Sequence, residues 1–256
     1  MALRESLSVT RNIGMLLLVY LGIGVAHSEA QAPGPPRVIL SGSIGATTDF
    51  VYRGLSLTRG KPAAQASIDA EFPREFYVGG FVATADPNAG PSPNLEFDVW
   101  AGKYWRVTEE LSVDLRLSQY TYPDDPRRVN YNRSEVTATV GYQNRFFMAA
   151  IYSPNTRAVS AAPGYRDDGA WAFEISGRHA FDERFSIAGG VGHYGLDGVY
   201  DRSFNYYNAT LIADLEPFEF QLAWLGVDSE AERIFPDEAV GNRVAFTALW
   251  RFSNAR

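Results

Sequence analysis

No cysteine occurs anywhere in the 256 residues. A chain of this size that leaves the cytoplasm without disulfides must be held by its own core and its own hydrogen bonding. Histidine is nearly as scarce. Of three, only His179 and His193 lie beyond the first thirty residues, and two imidazoles without a thiol do not make a typical metal site. No Gly-rich phosphate loop, dinucleotide fingerprint or zinc-binding His-Glu pair is present, so neither a metal nor a cofactor is expected. Basic charge is in deficit too: 23 Lys and Arg face 30 Asp and Glu, for a formal charge of −7. With no basic cluster, that balance excludes a nucleic-acid partner. After the N-terminal segment no apolar run reaches the roughly 18 residues a membrane helix needs.

The first thirty residues have a different character. Arg4 and Arg11 give a basic start, Ile13–Ala26 is apolar, and the polar, small-residue stretch "HSEAQAPGPP" follows. That order is the pattern of a secretory signal peptide, and the apolar run is short for a span. Pro33 disfavours cleavage after Ala32, so the bond after Ala30 is preferred and that after Ala26 comes second. An uncleaved anchor is the competing reading. A lipoprotein is excluded, since no cysteine follows. The expected division is 1–30 signal peptide and 31–256 mature domain.

From Val38 onward the chain breaks into short segments alternating with period two. "AAQASIDAEF" (63–72), "LEFDVWAGKYW" (95–105) and "LSVDLRLSQYT" (111–121) each carry one apolar face and one charged face. Strands sort residues this way and helices do not. Twelve such segments are expected, near 38–52, 63–72, 76–85, 95–105, 111–121, 134–143, 146–153, 170–180, 185–194, 205–215, 218–227 and 243–252. Short links ("PRE", "NR", "DER", "EP") alternate with long ones covering 53–62, 86–94, 122–133, 154–169, 195–204 and 228–242. An even number of strands with short turns at one end and long loops at the other is the requirement of an outer-membrane barrel. The fold expected is therefore all-β: one antiparallel transmembrane β-barrel of about twelve strands, with short periplasmic turns and long extracellular loops. A secreted β-sandwich is the soluble alternative, but nothing in its physics enforces alternating loop lengths. Aromatics also gather at strand ends. Tyr104, Trp105, Phe146, Phe147, Phe181, Phe185, Phe218 and Phe220 flank short turns, and Phe50, Tyr52, Tyr120, Tyr122, Tyr194 and Tyr207 lie near long loops, as two interfacial girdles would.

The stretch "TTDFVYRGLS" (47–56) ends the first strand. On its parity Phe50 and Tyr52 face lipid, Asp49 and Arg53 face the mouth, and Gly54 bends the chain into the first loop. An Asp49–Arg53 contact at the rim is expected. Together with "KPAAQASID", "EFYVGGFVAT", "LEFDVWAGKYW" and "YTYP", this stretch resembles the TorF-type family of outer-membrane porins of Gram-negative bacteria. Asp49, Tyr52, Arg53, Gly54, Ser56, Pro62, Ala63 and Gln65 match its Asp-aromatic-x-aromatic-Arg-Gly-x-Ser and Pro-Ala-x-Gln pattern. Glu96, Asp98, Ala101, Gly102 and Tyr104 match its acidic strand. Ala66 replaces a usual glycine, and four residues follow Phe252, where the family's terminal aromatic is the assembly signal. The resemblance implies an exported barrel in the bacterial outer membrane, in contact with outer-membrane lipid and lipopolysaccharide and inserted by the barrel-assembly machinery.

Lumen-facing candidates on this parity are Asp69, Glu71, Glu96, Asp98, Asp114, Arg116, Glu135, Glu174 and Arg178, with Asp214, Glu219, Arg243 and Arg251 beside them. Acids outnumber arginines, so an open lumen would prefer cations weakly. Twelve strands fall between barrels filled by side chains and those filled by water, and the strand count leaves open which applies. Passive diffusion of small hydrophilic solutes or ions, without covalent chemistry, is the expected function. A non-conducting structural or adhesive barrel, with loops 154–169 and 228–242 as its contact surface, is one alternative. A lipid hydrolase using His193 and Ser203, with Asp201 or Asn205 orienting the imidazole, is another.

Overall fold

Wherever the period-two pattern runs, the chain is extended. A computed structural model of the chain describes residues 38–85, 94–123, 132–156, 168–235 and 239–255. The expected signal segment and most of loops 86–94, 122–133 and 154–169 lie outside the described residues. Twelve long strands form: β1 (Ile39–Thr47), β4 (Ala63–Phe72), β5 (Phe76–Ala85), β6 (Asn94–Arg106), β7 (Leu111–Thr121), β8 (Arg133–Tyr142), β9 (Phe146–Thr156), β10 (Asp168–Ala180), β11 (Phe185–Leu196), β12 (Arg202–Leu215), β13 (Phe218–Val227) and β14 (Arg243–Ser253). A two-stranded hairpin, β2 (Val51–Tyr52) and β3 (Leu55–Ser56), stands apart from them, as do two short helices, α1 (Asp197–Tyr200) and α2 (Ser229–Ile234).

Each long strand pairs antiparallel with its neighbours in sequence order, and β14 pairs with β1 to close the barrel. Closure leaves no strand edge. An unpaired backbone amide in hydrocarbon costs about 4–8 kcal/mol, which is why only a closed sheet crosses lipid. The wall is inside-out relative to a water-soluble protein. Ile44, Ile68, Val99, Leu117, Met148, Ile175, Val191, Leu211 and Val244 project outward and are exposed, while Asp69, Asp98, Glu135, Thr137 and Asp214 are buried inside. A continuous apolar exterior of this extent is a surface for acyl chains.

Two expectations are corrected. The first strand stops at Thr47 instead of running to Tyr52. The chain leaves the wall there because the Thr47 hydroxyl donates to Asp49 O (2.8 Å) and the Phe50 amide donates to Thr58 Oγ1 (3.0 Å), folding 48–58 inward. Phe50 and Tyr52 are consequently buried inside the barrel and do not face lipid. Tyr120, Tyr122 and Tyr194 are buried inside as well; the Tyr120 and Tyr122 hydroxyls donate to Glu135 (3.2 Å) and Glu96 (2.6 Å), and the Tyr194 ring lies under the Arg53 guanidinium. The outward aromatics near the long loops include Phe97, Tyr152, Trp171, Phe173, Trp224 and Phe246, and Tyr207 takes its expected outward place beside Trp224. At the short-turn end the girdle holds: Phe72, Phe76, Trp105, Phe146, Phe181, Phe185, Phe218 and Trp250 are all exposed. Tyr104 and Phe147 are the exceptions there: Tyr104 points inward and is buried, and Phe147 takes the inward parity of β9 between exposed Phe146 and Met148.

The residues after Phe252 have a structural use. The Leu40 amide donates to Asn254 Oδ1 (2.9 Å), and the Asn254 amide donates to Leu40 O (3.0 Å). The tail thus extends the β1–β14 seam at the short-turn end. Replacing Asn254 with Ala is expected to lower barrel stability by about 1 kcal/mol, read as an earlier midpoint in urea unfolding; an unchanged midpoint would remove the tail from the seam.

Candidate functional site

The hairpin reverses through Arg53 and Gly54, both at positive φ (47° and 79°). Two successive left-handed residues make the tight two-residue turn whose twist suits a β-hairpin. Glycine takes the second position freely, and only glycine fits, since a Cβ there would collide with Val227 and Gly226 of β13. Arginine at the first position is strained, at about 1–2 kcal/mol. Its side chain accounts for the choice.

Arg53 reaches across the lumen to Glu135 on β8. Nη1 and Nη2 donate to the two carboxylate oxygens at 3.1 and 3.2 Å. The guanidinium lies over the rings of Tyr52 and Tyr194, 4.6 Å from each centroid, and its Nε is 3.7 Å from Glu174 on β10. Glu135 also accepts from Tyr52 Oη (2.6 Å), Tyr120 Oη (3.2 Å) and Arg133 Nε (3.3 Å). Arg133 in turn stacks on Tyr52 and Tyr120. One buried carboxylate is thereby saturated by two arginines and two tyrosines, the condition for keeping charge inside a protein.

A second carboxylate holds the base of the hairpin. Asp49 accepts from Ser56 Oγ (2.5 Å), Thr58 Oγ1 (2.9 Å) and Arg243 Nη1 (2.7 Å) on β14. Apolar side chains complete the fit in three directions. Phe50 and Tyr52 pack with Tyr77, Phe81, Trp100 and Tyr120, Leu55 packs with Tyr194, Phe204, Tyr206 and Val227, and Val51 packs with Ala223, Leu225 and Ala245. Val51, Phe204 and Tyr206 are wholly excluded from solvent. The hairpin occupies the long-loop half of the lumen.

The short-turn half differs. Glu71, Arg116, Arg178, Glu219 and Arg251 line it and are only half-buried. Arg251 bridges Asp214 and Glu219, and Arg178 Nε donates to Ser186 (3.1 Å). Asp69 accepts from Trp100 Nε1 (3.2 Å), and Asp114 accepts from Tyr77 Oη (2.7 Å). The Trp100 ring lies over Gly79 and the Tyr77 ring over Gly102, in room a side chain would fill. Between the two halves Glu174 accepts from Tyr206 Oη (2.6 Å) and keeps 19% of its side chain exposed. The lumen is therefore a charged vestibule capped by a packed hairpin.

A family model describing bacterial proteins of unknown function, Gcw_chp, matches residues 29–251. The chain belongs to the Gcw_chp family. Among curated protein sequences nothing matches. Among solved structures the fold is similar to the KdgM porin, at 11% identity and a TM-score of 0.52 over 84% of this chain and 99% of that one. It is similar to the NanC porin at 8% identity and a TM-score of 0.53, over 82% and 98% of the respective chains. These likenesses are of fold: a closed twelve-stranded barrel of the outer-membrane porin type.

In this Gcw_chp protein the candidate residues fall into three groups. Tyr52, Arg53, Glu135 and Glu174 converge on one cluster, although Tyr52, Arg53 and Gly54 belong to the internal hairpin and not to an outer rim. The expected Asp49–Arg53 contact is replaced by Asp49–Arg243 and Arg53–Glu135. Asp69, Glu71, Asp114, Arg116 and Arg178 line the vestibule. Glu96 and Asp98 face inward but are fully buried under the hairpin's side of the wall, where Glu96 accepts from Tyr122 Oη (2.6 Å). Arg133 and Tyr206 were not singled out by sequence, and Tyr194 was expected in the girdle, though each has the inward parity of its strand. Asn208, between Tyr206 and Thr210 on the lumen face, presents an amide with no hydrogen-bond partner on either atom.

The hydrolase candidates do not assemble. His193 Nδ1 is 2.8 Å from Asn205 Oδ1, and the Ser203 hydroxyl donates to Asp197 Oδ2 (2.6 Å). In the register Ser203 faces Gly195, two pairs further along than His193 and Asn205. A serine whose proton goes to a carboxylate is not primed by the imidazole. Among the described residues no group of acids and histidines is arranged to hold a metal ion.

Glu135→Gln removes the charge that balances two buried arginines. It is expected to destabilise the folded barrel by about 3 kcal/mol, with a smaller loss when Arg53→Met is already present. Denaturant unfolding of the single and double variants measures that coupling, and simple additivity would show that the two side chains do not interact.

Proposed function

We propose that the protein is an outer-membrane channel for small hydrophilic solutes and ions, with a vestibule open to the periplasm and a constriction formed by the β2–β3 hairpin on the outer side. The reading rests on one observation: a charged, half-exposed lumen wall inside an apolar exterior. A barrel serving only as a wall has no need of partly hydrated charge in its interior. It follows that residues 1–30 serve as the export signal and 31–256 as the mature barrel. The short turns then face the periplasm, and the exterior meets outer-membrane lipid and lipopolysaccharide after insertion by the assembly machinery. The TorF-type porin resemblance agrees, and the motif that carries it is the constricting hairpin.

Acids exceed arginines in the vestibule, Asp69, Glu71, Asp114, Asp214 and Glu219 facing Arg116, Arg178 and Arg251, so cations are favoured. One solved structure with this fold is a KdgM porin in complex with oligogalacturonate. A polyanion of that kind is opposed by the vestibule charge here. Glu96 and Asp98 lie too deep to meet permeating ions, which leaves selectivity to Glu71 and Asp114. The packing of the hairpin favours a second reading, a barrel that conducts nothing in its resting state.

Planar-bilayer recording of the refolded mature protein under a salt gradient separates the two. Small discrete steps with a cation-favouring reversal potential are expected, and Glu71→Gln with Asp114→Asn should shift that potential toward zero. Arg53→Ala, by loosening the hairpin, should enlarge the steps. Silence from both the wild type and Arg53→Ala, with each barrel shown to be folded by its mobility before and after boiling, would sink the channel reading.

A further inference from the structure

The outward face of β9–β13 carries a groove of about 670 Å³, lined mainly by Phe146, Ile175, Gly189, Val191, Tyr207 and Trp224. Its floor follows from pairing. Gly177 sits between Phe146 on β9 and Gly189 on β11, and Gly189 pairs in turn with Ala209 on β12. Ile175, Val191 and Trp224 stand exposed around that floor as its rims. This face offers acyl chains a trough.

The chemistry changes at the short-turn end. His179 is the next outward residue of β10 beyond Gly177, and it is exposed against the edge of Phe181. Arg145 immediately precedes Phe146, and its carbonyl accepts from the Arg178 amide (2.9 Å), which sets it beside Gly177. Arg145 is exposed. On the neighbouring turn Asp182 is engaged through Oδ1 with the amides of Arg184 and Phe185 (2.7 Å each), which leaves Glu183 as the exposed acid there. An apolar trough ending at an arginine and a histidine matches one amphiphile: an acyl chain ending in a phosphate.

We infer that this groove holds one phospholipid of the periplasmic leaflet, its chain along Gly177 and Gly189 and its phosphate at Arg145 and His179. The inference rests on the membrane-barrel reading and is independent of conduction. A second copy of the chain is the weaker occupant. A two-fold contact through this face would bring Arg145 and His179 against their own copies.

Native mass spectrometry of the barrel released from nanodiscs of phosphatidylethanolamine and phosphatidylglycerol tests the assignment. The wild type should retain one phospholipid per barrel, enriched in the anionic species. Arg145→Ala should lower that retention about fivefold, the worth of one basic group at a lipid surface. Gly177→Leu should abolish it, because a Cβ at Gly177 meets nothing nearer than 3.4 Å and the added side chain enters the trough. Folding of each variant is checked by mobility before and after boiling, so a barrel that fails to insert is recognised as a failure of the membrane reading. Equal lipid retention in all three folded proteins would overturn the site, as would a dimer in place of the lipid adduct.

Discussion

Backbone amides cannot be left unpaired in hydrocarbon, and the rest of the molecule follows from that constraint. It forces closure of β14 onto β1, which forces an interior, and the interior must be filled or hydrated. Period-two alternation then sends apolar side chains to the lipid and polar ones inward. A twelve-stranded circumference is too wide for its own wall side chains to fill at every level. In the long-loop half the chain supplies a further element, the β2–β3 hairpin, and in the short-turn half charge and aromatic side chains line the wall.

The hairpin is held by two carboxylates, each satisfied from several directions. Glu135 gathers Arg53, Arg133, Tyr52 and Tyr120, and Asp49 gathers Ser56, Thr58 and Arg243. Buried ion pairs contribute little net stability by themselves because of desolvation, yet they fix geometry, since any other arrangement strands a charge. Strain at Arg53 fits the same logic. The turn is distorted at the residue whose side chain spans the lumen.

Much of the barrel was legible in the sequence. Ten-residue alternation and alternating loop lengths are direct consequences of lipid outside and polarity inside, so strand number, order and facing emerged nearly intact. β1 is the instructive failure. "TTDFVYRGLS" keeps strand-like alternation, and parity carried through it placed Phe50 and Tyr52 in the lipid. Local pattern could not reveal that Thr47, Thr58 and Asp49 fold the segment inward, because its decisive partners, Glu135 and Arg243, lie far away in sequence. For the same reason the inward parity of Glu96 and Asp98 was readable while their depth beneath a cover was not. Tyr120 and Tyr194 looked like girdle residues from their position alone, although the inward parity of their strands already pointed them away from lipid.

The hairpin's position early in the chain also bears on the order of assembly. It follows the first strand, yet Arg53 finds Glu135 82 residues later, and Asp49 finds Arg243 194 residues later. A nascent chain holding only its first strands carries Arg53 with no counter-charge and Asp49 with only its near-neighbour hydroxyls. Contacts of such long range form late, after the loop-closure entropy has been overcome. The last strand therefore does two things at once: it seals the wall and delivers the arginine that locks the base of the hairpin. Closure and filling are one event, and the chain wraps its final turn around an object that it made first.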